Sequence, residues 1–353
     1  MSLQTINERL EYIDLEQYLP PSARANLWLG AFVVDKWFAQ YIVGTRLSVL
    51  AVDSGWDESV TSQIISFALR EFERRGWTPR LWYVLNTHSD WDHAWANRAF
   101  LAYPTVGNLV KTVASGETIK KLQSDLENDR ISQIRDSHSI LPNEPDYFEH
   151  SHIIVPQLAF STDMELSLGQ TKVTLISSTA HARGQLILHL PAEQILLAAD
   201  ALETPLPFLE SPFNFGEAMR GWQYLQTLPI KHIGLAHSLT WSESTGEFDF
   251  STQALEANLN YFKILKKQVH EHFQHFHKTI QTWIERESTF WQESLTQDQA
   301  WLALEGKPVE ALQQLEQYEK ITGAFNDSLE WFYLRAHHLA YIGAWLEALN
   351  DPK

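Results

Sequence analysis

The chain has 353 residues, more than one hydrophobic core usually needs, so the expectation is two domains or one large domain with an appendage. Hydrophobic residues make up 44% and charged residues 20%, which fits a soluble globular protein and excludes a disordered or fibrous chain. A formal net charge of −17 repels phosphate backbones and argues against nucleic-acid binding. With no cysteine, disulfides, thiolate nucleophiles and cysteine-held zinc are excluded, so any metal must be held by His, Asp and Glu.

In chain order, the N-terminus lacks a basic segment followed by an apolar one, and no apolar run reaches membrane-span length, so a cytoplasmic location is expected with no membrane contact. Asn26 to Val34 and Arg46 to Val52 read as strands, the second ending on the turn signal Asp53-Ser54-Gly55. Val60, Ile64, Ile65, Ala68, Leu69 and Phe72 recur at helical spacing and predict a helix over Glu58 to Arg75. Leu81 to Leu85 is a short buried strand that runs into His88-Ser89-Asp90-Trp91-Asp92-His93. Beyond Val110 the composition turns polar and predicts a helical insertion over about residues 113–147. Strands return at Lys172 to Ile176, Gln185 to Leu190, Gln194 to Ala199 and His232 to Leu235. From Ser251 the pattern is almost wholly helical, which places a boundary near Phe250 and divides the chain into 1–250 and 251–353. Within the tail, residues 304–312 align with 341–349 at an offset of 37, a weak echo of tetratricopeptide hairpins, whose period is about 34.

The chemistry concentrates at strand ends. His88, Asp90, Asp92 and His93 follow a buried strand, where open α/β sheets place their ligand crevices. A tight loop can aim alternate side chains at two adjacent ions, and imidazole with carboxylate suits zinc, iron and manganese. Alone, the run also reads as a polar surface loop. Three later features share its placement. His181 stands in a turn between two strands, Asp200 ends an apolar strand, and His237 follows a short strand. An acid at the edge of a buried strand is costly unless paired or bound.

This ordered set resembles the metallo-β-lactamase superfamily. Asp53-Ser54-Gly55 looks like its Asp-Thr-Gly turn, Ala180 to Gly184 like its Gly-His-Thr-x-Gly, Ala198-Ala199-Asp200 like its Ala-Gly-Asp, and Ala236-His237-Ser238 like its Gly-His-Gly. The resemblance covers about Asn26 to Ser238. It implies an α/β fold, an αββα sandwich with metals at one edge, here with an all-helical C-terminal region appended. It further implies two divalent ions, zinc first, with manganese or iron as alternatives. His88, Asp90 and His181 would hold one ion and Asp92, His93 and His237 the other, with Asp200 between them. A hydroxide bridging the metals would attack an ester, thioester, lactone or related bond of a small substrate, and Asp92 would orient or deprotonate it.

The chain departs from the family pattern at Asp90, where the family has histidine, and at Ala180, Ala199 and Ala236, where it has glycine. Asp90 adds charge and hardens the first position, favouring manganese or iron. Arg183 and Ser238 adjoin ligand positions and are candidate substrate contacts. Trp91 and Trp95 either wall the groove or pack beneath the loop. The helical tail is expected to serve a homodimer or another protein contact, and His270, His272, His275 and His277 read as a solvated helix. Competing readings are an iron-dependent oxidoreductase on the same ligands, a phosphodiesterase, and a non-catalytic interaction protein.

Overall fold

The computed structural model describes residues 4–136, 148–160, 163–204, 207–209, 215–237 and 250–271. The first sheet runs β1 (Gln4–Asn7), β2 (Leu10–Asp14), β3 (Leu27–Val34), β4 (Phe38–Thr45), β5 (Ser48–Val52), β6 (Leu81–Leu85), β7 (Val110–Ser115) and β8 (Leu158–Phe160), paired in that order. The second orders as β13 (His232–Leu235), β12 (Ile195–Ala199), β11 (Gln185–Leu190), β10 (Thr171–Ser178) and β9 (Met164–Leu168). The helices are α1 (Glu58–Arg74), α2 (Trp91–Ala94), α3 (Asn97–Ala102), α4 (Gly116–Glu127), α5 (Arg130–Asp136), α6 (Phe215–Leu225) and α7 (Gln253–Glu271).

The strands of the first sheet read as unbroken apolar runs because both faces are covered, and their side chains divide with a period of two. Leu29, Ala31, Val33, Tyr41 and Val43 pack toward the second sheet in one core. Trp28, Phe32, Val34, Phe38 and Ile42 pack against α1 and α3 in the other. On its far side the second sheet is closed by α6 and α7, which contribute Trp222, Leu225, Leu255 and Leu259. The layers are therefore helix, sheet, sheet, helix, as expected. Asp57 starts α1 by accepting from the backbone N–H groups of Ser59 and Val60.

Residues 27–34, 48–52, 81–85, 185–190 and 195–199 form strands as their patterns predict, within a residue or two. β1, β2, β4, β7, β8 and β9 do not stand out in the sequence. β4 carries Gln40 and Gly44 within its run, and β8 has only three residues. The segment expected to be a helical insertion opens on the end of β7 and continues as α4 and α5; its remainder to residue 147 lies outside the described residues. The boundary expected near Phe250 is followed at once by α7, which packs into the same core as α6. The repeat in the tail and His272, His275 and His277 lie outside the described residues. No described helix is long and apolar enough to cross a membrane.

Gly44 in β4 is where α1 comes closest to the sheet. A Cβ there would fall against Cε1 and Cζ of Phe72, well inside van der Waals contact. Phe72 is itself buried against Trp28, Trp77 and Trp82, so it has little room to yield. Gly44→Ala should cost about 1–3 kcal/mol, read as a lowered midpoint in urea unfolding; an unchanged midpoint would show that Phe72 moves freely.

Candidate metal centre

Four chain segments deliver the site to one edge of the two sheets. The turn after β6 supplies His88 and Asp90. Asp92 and His93 sit on the single turn of α2, so the back half of the run is helical rather than the loop its sequence suggested. His181 lies in the turn between β10 and β11, Asp200 directly follows β12, and His237 stands two residues beyond β13. His88 and His93 are fully buried, His181 and Asp200 nearly so, and the Asp90 side chain keeps about half its surface at the rim.

Asp200 is the hub. Its Oδ2 lies 3.2 Å from Nε2 of His93, 3.5 Å from Nε2 of His88, 3.5 Å from Nε2 of His237 and 3.9 Å from Nε2 of His181. Asp90 Oδ2 stands 3.5 Å from Nε2 of both His88 and His181. Asp92 Oδ2 stands 3.1 Å from Nε2 of His237 and 3.8 Å from Nε2 of His93. Two triads result, His88 with Asp90 and His181, and Asp92 with His93 and His237, each with donor atoms mutually within 4.8 Å.

Every imidazole is aimed by its other nitrogen. His181 Nδ1 donates to the carbonyl of Phe208 at 2.7 Å and His237 Nδ1 to the carbonyl of Trp37 at 3.2 Å. His93 Nδ1 meets Asp53 Oδ2 at 2.8 Å, and His88 Nδ1 meets the Thr87 hydroxyl at 3.1 Å. Such outer partners set the ring orientation and leave Nε2 as the inward donor. Asp53 also accepts from the backbone N–H of Thr87 at 2.7 Å, so one carboxylate braces both the loop and His93. Its backbone is left-handed, at φ 65°, as is that of Ala199, at φ 46°, just before Asp200. Of the three alanines standing where the family has glycine, only Ala199 takes this conformation. Backbone of this kind persists where the surroundings over-determine it, often at functional sites.

The electrostatics follow from burial against charge. Burial pulls the imidazoles down, but the carboxylates outweigh it and hold His88 at about 9 and His93 and His237 above the usual histidine range. Burial would raise Asp200, yet His93 and His237 hold it well below the carboxylate range. Glu203 goes the other way, pushed up by burial and then by Asp200.

Three buried atoms of the site, His88 Nε2, His181 Nε2 and Asp200 Oδ1, have no hydrogen-bond partner among the described residues. Most of the separations above are too long for hydrogen bonds. They match neighbouring donors on a tetrahedral ion, which bonds of about 2.0–2.2 Å place about 3.3–3.6 Å apart. The residue types, orphaned atoms and spacing all fit a divalent cation.

Around the site the structure separates the two tryptophans of the run. Trp95 is buried beneath it against Phe148, whereas Trp91 is half-buried at the rim beside Trp37 and Trp56. Trp37 stacks on the His237 ring at 5.2 Å and 10°. Arg183 is exposed on its turn, where its charge acts on Glu117. Ser238 lies outside the described residues. Sequence reasoning read Asp53 only as part of a turn and passed over Glu203, although an acid three residues after Asp200 is a visible signal.

A sequence profile described as the metallo-beta-lactamase superfamily matches residues 40–246. Among solved structures, a metallo-beta-lactamase from Pontibacter korlensis is 14% identical, with a TM-score of 0.44, covering 73% of this chain and 97% of that one. The metallo-beta-lactamase FIM-1 from Pseudomonas aeruginosa, in its mono-zinc form, is 11% identical, with a TM-score of 0.42, covering 73% and 93%. No curated protein matches the chain.

Asp53→Asn should keep the fold yet lower divalent-metal affinity about 10–100-fold, because His93 loses the acceptor that orients it. Equilibrium dialysis against zinc checks this, and an affinity equal to wild type would show that Asp53 only braces the loop.

Proposed function

The chain belongs to the metallo-β-lactamase superfamily, and from that premise we propose that it is a metal-dependent hydrolase acting on an ester, thioester, lactone or related bond of a small substrate. One observation carries the reading: four imidazole Nε2 atoms, each aimed by an outer partner, converge within 3.9 Å of a single buried carboxylate oxygen.

In this reading His88, Asp90 and His181 would hold one divalent ion and Asp92, His93 and His237 a second, with Asp200 as the seventh ligand. Bound there, such ions supply Lewis acidity and lower the pKa of water toward neutrality. The remaining work belongs to the chain. Asp92, on α2 with its Oδ2 beside His237, would orient the attacking water and take its proton. Asp90, half-exposed at the rim, meets the substrate side of the pocket. The aromatic surface of Trp37 and Trp91 offers an apolar wall that would seat the organic part of a substrate and exclude bulk water from one flank. The Asp90 carboxylate at the rim opposes an anionic phosphate group, which favours carboxylic esters and their relatives over phosphodiesters.

Protein purified without added metal should contain at least one equivalent of zinc, manganese or iron. It should turn over at least one member of a panel of esters, thioesters and lactones, with activity lost on chelation and restored by metal. Asp200→Asn should lower turnover about 100-fold or more while retaining the wild-type circular dichroism spectrum. Metal-free protein that none of the three ions activates would sink the proposal, and turnover confined to phosphodiesters would redirect it.

A further inference from the structure

Two imidazoles from different triads are joined beneath the pocket by one carboxylate. The rings of His88 and His93 lie with centroids 4.0 Å apart. His93 Nδ1 meets Asp53 Oδ2 directly, at 2.8 Å. His88 Nδ1 meets the hydroxyl of Thr87 instead, at 3.1 Å, and that hydroxyl stands 3.0 Å from the same Asp53 Oδ2. Thr87 and both histidines are fully buried.

The direction of the protons follows from the chemistry of these groups. A carboxylate only accepts, and a threonine hydroxyl has one proton to give. Thr87 gives it to Asp53. Its oxygen is then an acceptor toward Nδ1 of His88, which places a proton on that nitrogen. In the neutral ring the lone pair is left on Nε2. That atom stands 3.5 Å from an oxygen of Asp90 and from one of Asp200, and it has no hydrogen-bond partner among the described residues. A hydroxyl alone fixes no tautomer, since it can donate or accept. The carboxylate behind it removes that choice.

Asp53 is itself held from several sides. Its N–H donates to the carbonyl of Leu85 at 2.7 Å, and its carbonyl accepts from Nε2 of Gln40 at 2.7 Å. Its Oδ1 accepts from the Thr87 N–H, also at 2.7 Å. The carboxylate is thereby a fixed reference for both rings.

Resting on the reading of the pocket as a metal centre with two positions, we propose that Thr87 is a positioning residue for the first of them. Its hydroxyl relays the Asp53 carboxylate to His88, so that one acid orients one histidine in each triad. Asp53 therefore serves both positions, and the Thr87 hydroxyl serves only the first.

The test uses the full chain stripped by chelation. Zinc uptake is followed by titration calorimetry, and cadmium nuclear magnetic resonance reads the two positions separately. Thr87→Val keeps the shape and removes the hydroxyl, whereas Thr87→Ser keeps the hydroxyl. Both leave Asp53 its bonds to the backbone N–H of residue 87 and to Nδ1 of His93. Thr87→Val should lower the affinity of one zinc equivalent about 10–100-fold and leave the other within about threefold. One of the two cadmium resonances should move with it. Thr87→Ser should bind both equivalents as wild type does, and Asp53→Asn should weaken both. A Thr87→Val variant that matches wild type, or weakens both equivalents by the same factor, overturns the relay and leaves the metal-centre reading standing. So does a Thr87→Ser variant as weak as Thr87→Val, which would assign the effect to packing. A wild-type chain that takes up a single equivalent also overturns this inference alone. One that takes up no metal overturns the metal-centre reading and this inference with it.

Discussion

A carboxylate buried at the end of a strand is the constraint around which this fold is arranged. Asp200 is 5% exposed, and one of its oxygens has no hydrogen bond among the described residues. A lone ionised carboxylate in that position would cost several kcal/mol. The compensation is assembled from His88, His93, His181 and His237, brought from three different segments. His181 and His237 flank β11 and β13, the strands paired with β12, but His88 and His93 come from the first sheet, so the compensation is complete only once both sheets have closed. Protons on the imidazoles can balance the carboxylates, and a divalent cation can do so with neutral rings, releasing those protons as it binds.

The scaffold meets this constraint by bringing strand ends together at one edge. β5, β6 and β7 run parallel, as do β12 and β13, so consecutive segments leave their sheets on the same side. Hydrogen bonds then tie the two halves. The N–H of Leu186 in β11 donates to the carbonyl of Thr87, and the hydroxyl of Tyr41 in β4 donates to the carbonyl of Leu235 in β13. Asp53 and Ala199 adopt left-handed backbone beside the site, where ordinary residues are strained by about 1–3 kcal/mol. The surrounding packing holds them there.

The tryptophan content acquires a physical account. Trp28, Trp56, Trp82, Trp95 and Trp222 are among the largest fully buried side chains, filling space between layers that smaller residues would leave open. Trp37 and Trp91 instead stand half-buried at the rim, Trp37 stacked on His237. The same residue type thus builds the core and shapes the mouth of the pocket. The C-terminal region also enters the site's architecture, since α7 packs on α6 and its Asn258 grips the segment after Asp200.

The sequence by itself determined the elements whose signal is local. Apolar runs as dense as Leu81 to Leu85 and Gln185 to Leu190 are strands wherever they pack, and α1 follows from its 3.6-residue spacing. The ordered placement of His88, Asp90, Asp92, His93, His181, Asp200 and His237 after strands also sufficed to resemble a family, because ligand types and their order are properties of the chain. β4, β7 and β8 were not legible, since a short or Gly- and Gln-containing strand is stabilised by its neighbours rather than by its own pattern. Only the tertiary structure decided which nitrogen of each histidine faces inward, because Asp53, Phe208 and Trp37, which aim the rings of His93, His181 and His237, lie 27 to 200 residues away along the chain. It alone set Glu203 beside the outer nitrogen of His181 and Arg183 on the outside of its turn. Both depend on how the layers close, and layer closure is a long-range packing outcome that no local window of sequence contains.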